Sequence, residues 1–179
     1  MFKTLTVAAL VLAPATAFAQ PTAAPARPHA GLTFEANLGF GFLRISGDGD
    51  SQSEGSIAGL DLGIGGFLNP RMALTLRIAG VTYVADGGQI TQAFLGPSLQ
   101  YWATPNVWLG GGIGLGVVQI KSDFGGSDSE TKLGLDLRAG YTFNPNAKHS
   151  FNLSVEFTPT FFDGGTISGL GLLLGYQLL

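Results

Sequence analysis

The chain has 179 residues, 45% of them hydrophobic and only 12% charged, with 28 glycines, no cysteine and a formal net charge of −3. That length suits one domain, the scarcity of charge argues against a water-facing surface, and the lack of cysteine excludes disulfides, zinc-thiolate sites and thiol nucleophiles. With no basic cluster, nucleic acid is set aside as a partner, and no apolar run outside the N-terminus is long enough for a mature helical membrane span.

Residues 1–19 combine Lys3, the apolar stretch from Leu5 to Leu12 and the ending Ala17-Phe18-Ala19, the pattern of a secretory signal cleaved before Gln20. Residues 20–31 mix proline and alanine without periodicity and read as an extended periplasmic tether in which His29 has no role. Cleavage removes Lys3 alone among the charges, leaving 8 basic and 12 acidic groups. Residues 32–179 are the remaining domain.

From Leu32 onward, large apolar residues alternate with small or polar ones at period two, the signature of strands. In the first run Leu32, Phe34, Ala36, Leu38, Phe40 and Phe42 share one face, and Thr33, Glu35, Asn37, Gly39 and Gly41 the other. Ile57 to Leu68 sets Leu60, Leu62 and Ile64 against Asp61 and three glycines. Met72 to Val84, which carries Arg77, is the least regular. Ile90 to Trp102 opposes Leu95, Leu99 and Tyr101 to Phe94, Gly96, Ser98 and Gln100. Val107 to Ile120 opposes four aliphatic residues to Gly110, Gly112, Gly114 and Gly116. Lys132 to Phe143 places Tyr141 in the apolar phase and Asp136 and Arg138 opposite. Phe151 to Phe161 and Ile167 to Leu179 complete eight runs, an even number, each long enough to cross a bilayer at a tilt. Pro159 cannot donate to a ladder, which predicts a break or bulge in the seventh run.

Asn69-Pro70-Arg71, Thr104-Pro105-Asn106 and Asn144-Pro145-Asn146 are short turns. Between them lie longer loops rich in Gly, Ser and Asp at 46–56, 85–89, 121–131 and 163–166, which together hold eight acidic residues and one base, Lys121. Short turns on one rim and acidic loops on the other predict an all-β, eight-stranded antiparallel up-and-down transmembrane barrel. A soluble lipocalin-like barrel is the rival, but it would need a charged outer face. Here the second phase is mostly Gly, Ser, Thr and Asn, which suits a narrow lumen. Phe34, Tyr101, Tyr141, Phe143, Phe151 and Tyr176 lie near the short-turn rim as one aromatic girdle, and Phe40, Phe42, Phe157 and Phe161 as a second.

Over Leu32 to Leu179 this pattern resembles the OmpA/OmpX-like small outer-membrane β-barrels, by architecture rather than by a specific motif. The resemblance implies residence in the outer membrane, lipid as the surrounding partner, and insertion machinery that reads the last strand through a terminal aromatic residue. Here the apolar phase ends Leu172, Leu174, Tyr176, Leu178, followed by Leu179, so the terminal aromatic itself is absent and Tyr176 is the residue left to serve. The expected function is a non-enzymatic barrel with a structural or surface-interaction role. A narrow channel for small solutes is the alternative, and a lipid A-modifying enzyme the third reading. For the third, His149, Ser150 and Glu156 invite comparison with a His, Ser and acid constellation, yet neighbours on a strand point to opposite faces and His149 falls in a periplasmic turn.

Neither cofactor nor metal is expected. Asp48 to Glu54 alternates oxygen-bearing side chains but lacks the glycine and distant Glu of a calcium loop, and Gly110 to Gly116 continue a strand with no helix after it, so they keep the lumen slim rather than cradle phosphate. The lumen is expected to hold two ion pairs. Counting back from the turns sets Arg138 opposite Glu156, with Asp136 extending the pair, and Asp61 opposite Arg77; Glu35 is a further charge in the same inward phase.

Overall fold

The computed structural model describes residues 29–47, 50–85 and 87–179, without the side chains of 50–58 and 85. The expected signal segment, most of the tether and the side chains of the acidic stretch from Asp48 to Glu54 lie outside the described residues. Eight strands follow in order: β1 (Leu32–Gly47), β2 (Asp50–Asn69), β3 (Met72–Ala85), β4 (Gly88–Trp102), β5 (Val107–Ser122), β6 (Ser127–Thr142), β7 (His149–Phe162) and β8 (Gly165–Leu178). Each pairs antiparallel with its chain neighbours, and β1 pairs with β8 to close the barrel. The even strand number puts the start of β1 and the end of β8 on one rim, here called proximal.

Period-two alternation decides what each face meets. Leu38 is 66% exposed and Ile64 60%, whereas Glu35, Asn37, Asp61, Arg77, Asp136 and Arg138 are all buried. This inverts the arrangement of a soluble protein, in which buried charge is rare, and disposes of the lipocalin-like alternative. The outer wall is an apolar band, the environment a strand meets in a bilayer, and closure leaves no unpaired edge of the whole sheet for lipid to desolvate.

One expectation is corrected and another made specific. The distal segments at 46–56 and 121–131 are not long loops: Ser46 pairs with Ser51 and Lys121 with Ser127, so the ladders run on into both segments. Gly, Ser and Asp disfavour strands on their own, but each added pair extends a hairpin already held in register, and context outweighs propensity. None of the distal connections is therefore longer than the proximal ones at 103–106 and 143–148. At Pro159 the expected interruption is found, as a break in the ladder and not a bulge. Pro159 aligns with Ser168 on β8, and its lost donor falls in a gap of the β6–β7 ladder between Gly134↔Thr160 and Leu137↔Phe157, with register kept. The register shifts lie instead between Gly39 and Gly41 of β1 and between Phe67 and Asn69 of β2.

A closed ladder offers no free strand end from which unfolding can start. The protein extracted in mild detergent should therefore migrate as a compact species on a gel and shift only after boiling. Identical mobility before and after heating would contradict closure.

The candidate site: a charged lumen sealed at one end

Arg77 of β3 is the centre of the lumen, with its side chain fully enclosed. Its guanidinium lies 3.2 Å from Glu35, 3.3 Å from Asp136 and 3.2 Å from Glu156, and it is also ion-paired with Asp61. Arg138 of β6 donates to Glu35 at 2.9 Å and stands 3.6 Å from Asp136. Two guanidiniums thus hold four carboxylates. Arginine suits the task because its planar fork serves several acceptors at once and keeps its charge.

Neutral groups complete the cluster. Asn37 donates 2.7 Å bonds to both Glu35 and Asp61, Asn152 donates to Asn37 at 3.0 Å, and the Ser98 hydroxyl donates to Asp136 at 2.9 Å. Buried polar groups are costly unless bonded, so this lattice of donors is what makes so much charge tolerable. Small residues make room for it: the Arg138 side chain runs across Gly110, where a Cβ would come within 2.5 Å of its Nε.

All six expected lumen charges therefore meet, but as one network rather than two pairs. Arg138 and Glu156 are opposite on the β6–β7 ladder as counted, yet the acceptors beside Arg138 are Glu35 and Asp136, while Glu156 reaches across to Arg77. Asp61 aligns with Ala79 rather than Arg77, because the β2–β3 turn falls at 70–71 and a register shift follows; the long arginine side chain still reaches it. Asn37, Asn152 and Ser98 were not anticipated as members. Asn37 carried a signal, two residues from Glu35 and opposite Asp61 on the ladder, whereas Asn152 and Ser98 share only the inward phase, with Thr142, Gly175, Thr75 and Gly112 as their ladder neighbours.

The proximal end is sealed by aromatic side chains. Trp102 and Trp108 are buried against Ala73, with Phe67 and Leu179 packed on them, and the Arg138 guanidinium lies 5.1 Å from the Trp108 ring, within cation–π range. His29 belongs to this seal, contrary to the expectation that it has no role: it is only 7% exposed, with its ring centroid 5.0 Å from Trp102 and 5.2 Å from Phe67. Its Nε2 donates to the Pro145 carbonyl at 3.3 Å.

Burial favours the neutral imidazole and lowers the His29 pKa below its ordinary value of 6.5, with the Pro145 bond opposing more weakly. Between the lowered value and 6.5 the unfolded chain binds more protons than the folded one, so the contribution of this contact is fully present above pH 6.5 and is lost as pH falls through the folded value. Acidification should therefore detach the segment before β1. Both tryptophans of the chain lie here, so their emission should change with a midpoint below 6.5, and His29→Phe should flatten the profile. An unchanged profile in that variant would rule out His29 as the sensor.

The remaining expected residues lie apart from the lumen. Phe34, Tyr101, Tyr141, Phe143 and Phe151 are exposed on the outer wall near the proximal rim and Tyr176 is partly buried there; Phe34 stands 6.5 Å from Tyr176 and Tyr141 5.5 Å from Phe143. His149 contacts the Tyr176 hydroxyl at 2.5 Å, Ser150 donates to the Asn144 carbonyl, and Glu156 is inside the lumen. The three residues that suggested hydrolase chemistry thus point to three separate places.

Residues 5–177 match the family described as outer membrane protein beta-barrel domain. The fold is similar to that of Ail, the attachment invasion locus protein of Yersinia pestis, crystallised with the heparin analogue sucrose octasulfate, at 21% identity and a TM-score of 0.58 over 82% of this chain and 99% of that one. It is also similar to Neisserial surface protein A, at 15% identity and a TM-score of 0.62 over 83% of this chain and 97% of the other. No curated protein matches the chain in sequence.

Proposed function

The chain belongs to the outer membrane protein β-barrel domain family, and from that premise we propose that it is a non-enzymatic, plugged barrel serving envelope structure and contact at the cell surface. It resides in the outer membrane, surrounded by lipid. In this reading residues 1–19 are the export signal and residues 20–31 the periplasmic lead-in, so the proximal rim faces the periplasm. The rim aromatics from Phe34 to Tyr176 then sit at the lipid headgroups, and insertion machinery reads β8 through Tyr176.

The observation that carries the reading is the filled lumen. The aromatic seal is followed outward by the Arg77 network and then by Phe94, Leu173 and the Gln92, Thr158 and Thr160 hydrogen bonds at 2.9–3.2 Å. The cavity beside Glu156 and Thr158 measures only about 10 Å³, one water at most. A channel needs a continuous wet path, which this filling opposes. In planar bilayers the protein should give no steady conductance; a stable open level would overturn the plugged reading in favour of a narrow channel. Lipid A mass spectra that depend on the protein would instead reinstate an enzyme.

The ligand of Ail is a poor guide to the surface partner. Sucrose octasulfate is polyanionic, whereas the distal segments here carry eight acidic residues with Lys121 as their one base. Their field repels anions and attracts cations.

A further inference from the structure

Above the filled part of the lumen, the distal mouth changes character. Ile45 of β1, Val118 and Ile120 of β5, Phe162 of β7 and Ile167 of β8 line a cavity of about 330 Å³ bordered by Asp128 and Glu130 of β6. These aliphatic and aromatic groups occupy the inward phase at the level where the barrel meets water, and apolar side chains so placed gain by being covered. The volume is at the lower end for ligand pockets, with room for about ten heavy atoms at the roughly 30 Å³ that one water occupies in the liquid.

The wall beside this cavity is also the weakest of the barrel. The β6–β7 ladder ends at Gly134↔Thr160, although β6 continues to Ser127 on its β5 side. What spans the space beyond is Lys132, 3.3 Å from Glu130 and 3.2 Å from Asp163 in the β7–β8 turn. Asp163 is 99% exposed, and exposed pairs of this kind hold weakly. The mouth can therefore widen there without breaking a backbone ladder.

We propose that this vestibule binds a small organic cation with a compact apolar body. The apolar lining takes the body. Asp128, which no cation pairs among the described residues, takes the charged end, while Glu130 is shared with Lys132. An anion of the same shape would meet two carboxylates, and the lysine beside them, Lys132, is already engaged on both sides. The inference rests on the placement in the outer membrane and not on the plugged lumen, so it survives a conducting barrel.

The test uses adamantane-1-ammonium as probe and adamantane-1-carboxylate as its anionic counterpart, with isoleucine methyl NMR of the full barrel in lipid nanodiscs. The ammonium should shift the methyls of Ile45, Ile120 and Ile167 saturably, and the carboxylate should bind at least tenfold more weakly. Asp128→Asn should weaken the ammonium several-fold, and Lys132→Gln, which releases Glu130, should strengthen it. Ile120→Trp should fill the cavity and abolish the shifts; if that variant loses the heat-shifted gel band of a folded barrel, Ile167→Phe gives the same readout from β8. Equal binding of the two probes, no saturable shift, or indifference to Asp128→Asn and Lys132→Gln would overturn the proposal.

Discussion

Replacing Arg77 by methionine should destabilise the barrel by about 3–5 kcal/mol or more, the cost of breaking a buried ion pair from one side. The substitution removes the group that Glu35, Asp61, Asp136 and Glu156 all face and leaves four enclosed carboxylates to Arg138 alone. Arg77→Lys keeps the charge but not the fork, so its loss should be smaller yet clear. The network also predicts which pairs couple. In double-mutant cycles, Arg138→Met with Glu35→Gln should show strong coupling, because those groups are bonded at 2.9 Å. Arg138→Met with Glu156→Gln should couple weakly although the two residues are ladder neighbours. Urea unfolding of refolded protein in detergent or lipid gives these values. A loss below about 1 kcal/mol for Arg77→Met would mean that the lumen is hydrated, since that is the range of exposed pairs.

The wall of the barrel was legible in the sequence because a single rule generates it. Strand alternation has period two, and the turn residues at Asn69-Pro70, Thr104-Pro105 and Asn144-Pro145 mark where it restarts; β3 begins at Met72 and β4 ends at Trp102, as the pattern predicts. The charges inside were legible as members of the inward phase. Their partners were not, because a contact across the lumen depends on tilt and stagger, which fix the relative height of strands far apart in sequence. Glu35 and Arg138 are 103 residues apart yet bonded, and no count from a turn connects them. His29 was obscured for a related reason: its contacts Phe67, Trp102 and Pro145 come from three separate segments, while its own neighbours are prolines and alanines that signal no packing. The distal ladders are not legible in the same way, because pairing along the hairpin outweighs a local composition of Gly, Ser and Asp that signals loops.

Trp108→Ala should cost about 3–5 kcal/mol, the usual loss for deleting a large buried aromatic side chain. The indole is 0% exposed, packs with Trp102 and Ala73 at the proximal seal, and lies beside the Arg138 guanidinium. The ladder does not depend on it, so the barrel should still form and still show its heat-dependent gel shift, with water now admitted up to Arg138. Coupling between Arg138 and Glu35 should accordingly fall toward the exposed-pair range of about 0–1 kcal/mol when the cycle is repeated in this background. Gly140 supplies an internal check. The indole lies over this residue, and a Cβ there would collide with its six-membered ring. Gly140→Ala alone should therefore cost about 1–3 kcal/mol through overpacking. In the Trp108→Ala protein the same substitution should be close to neutral, because the atoms it strikes are gone. Additive losses would show that Gly140 is required for some other reason, and an unchanged Arg138 to Glu35 coupling would show that the indole is not what keeps the network dry.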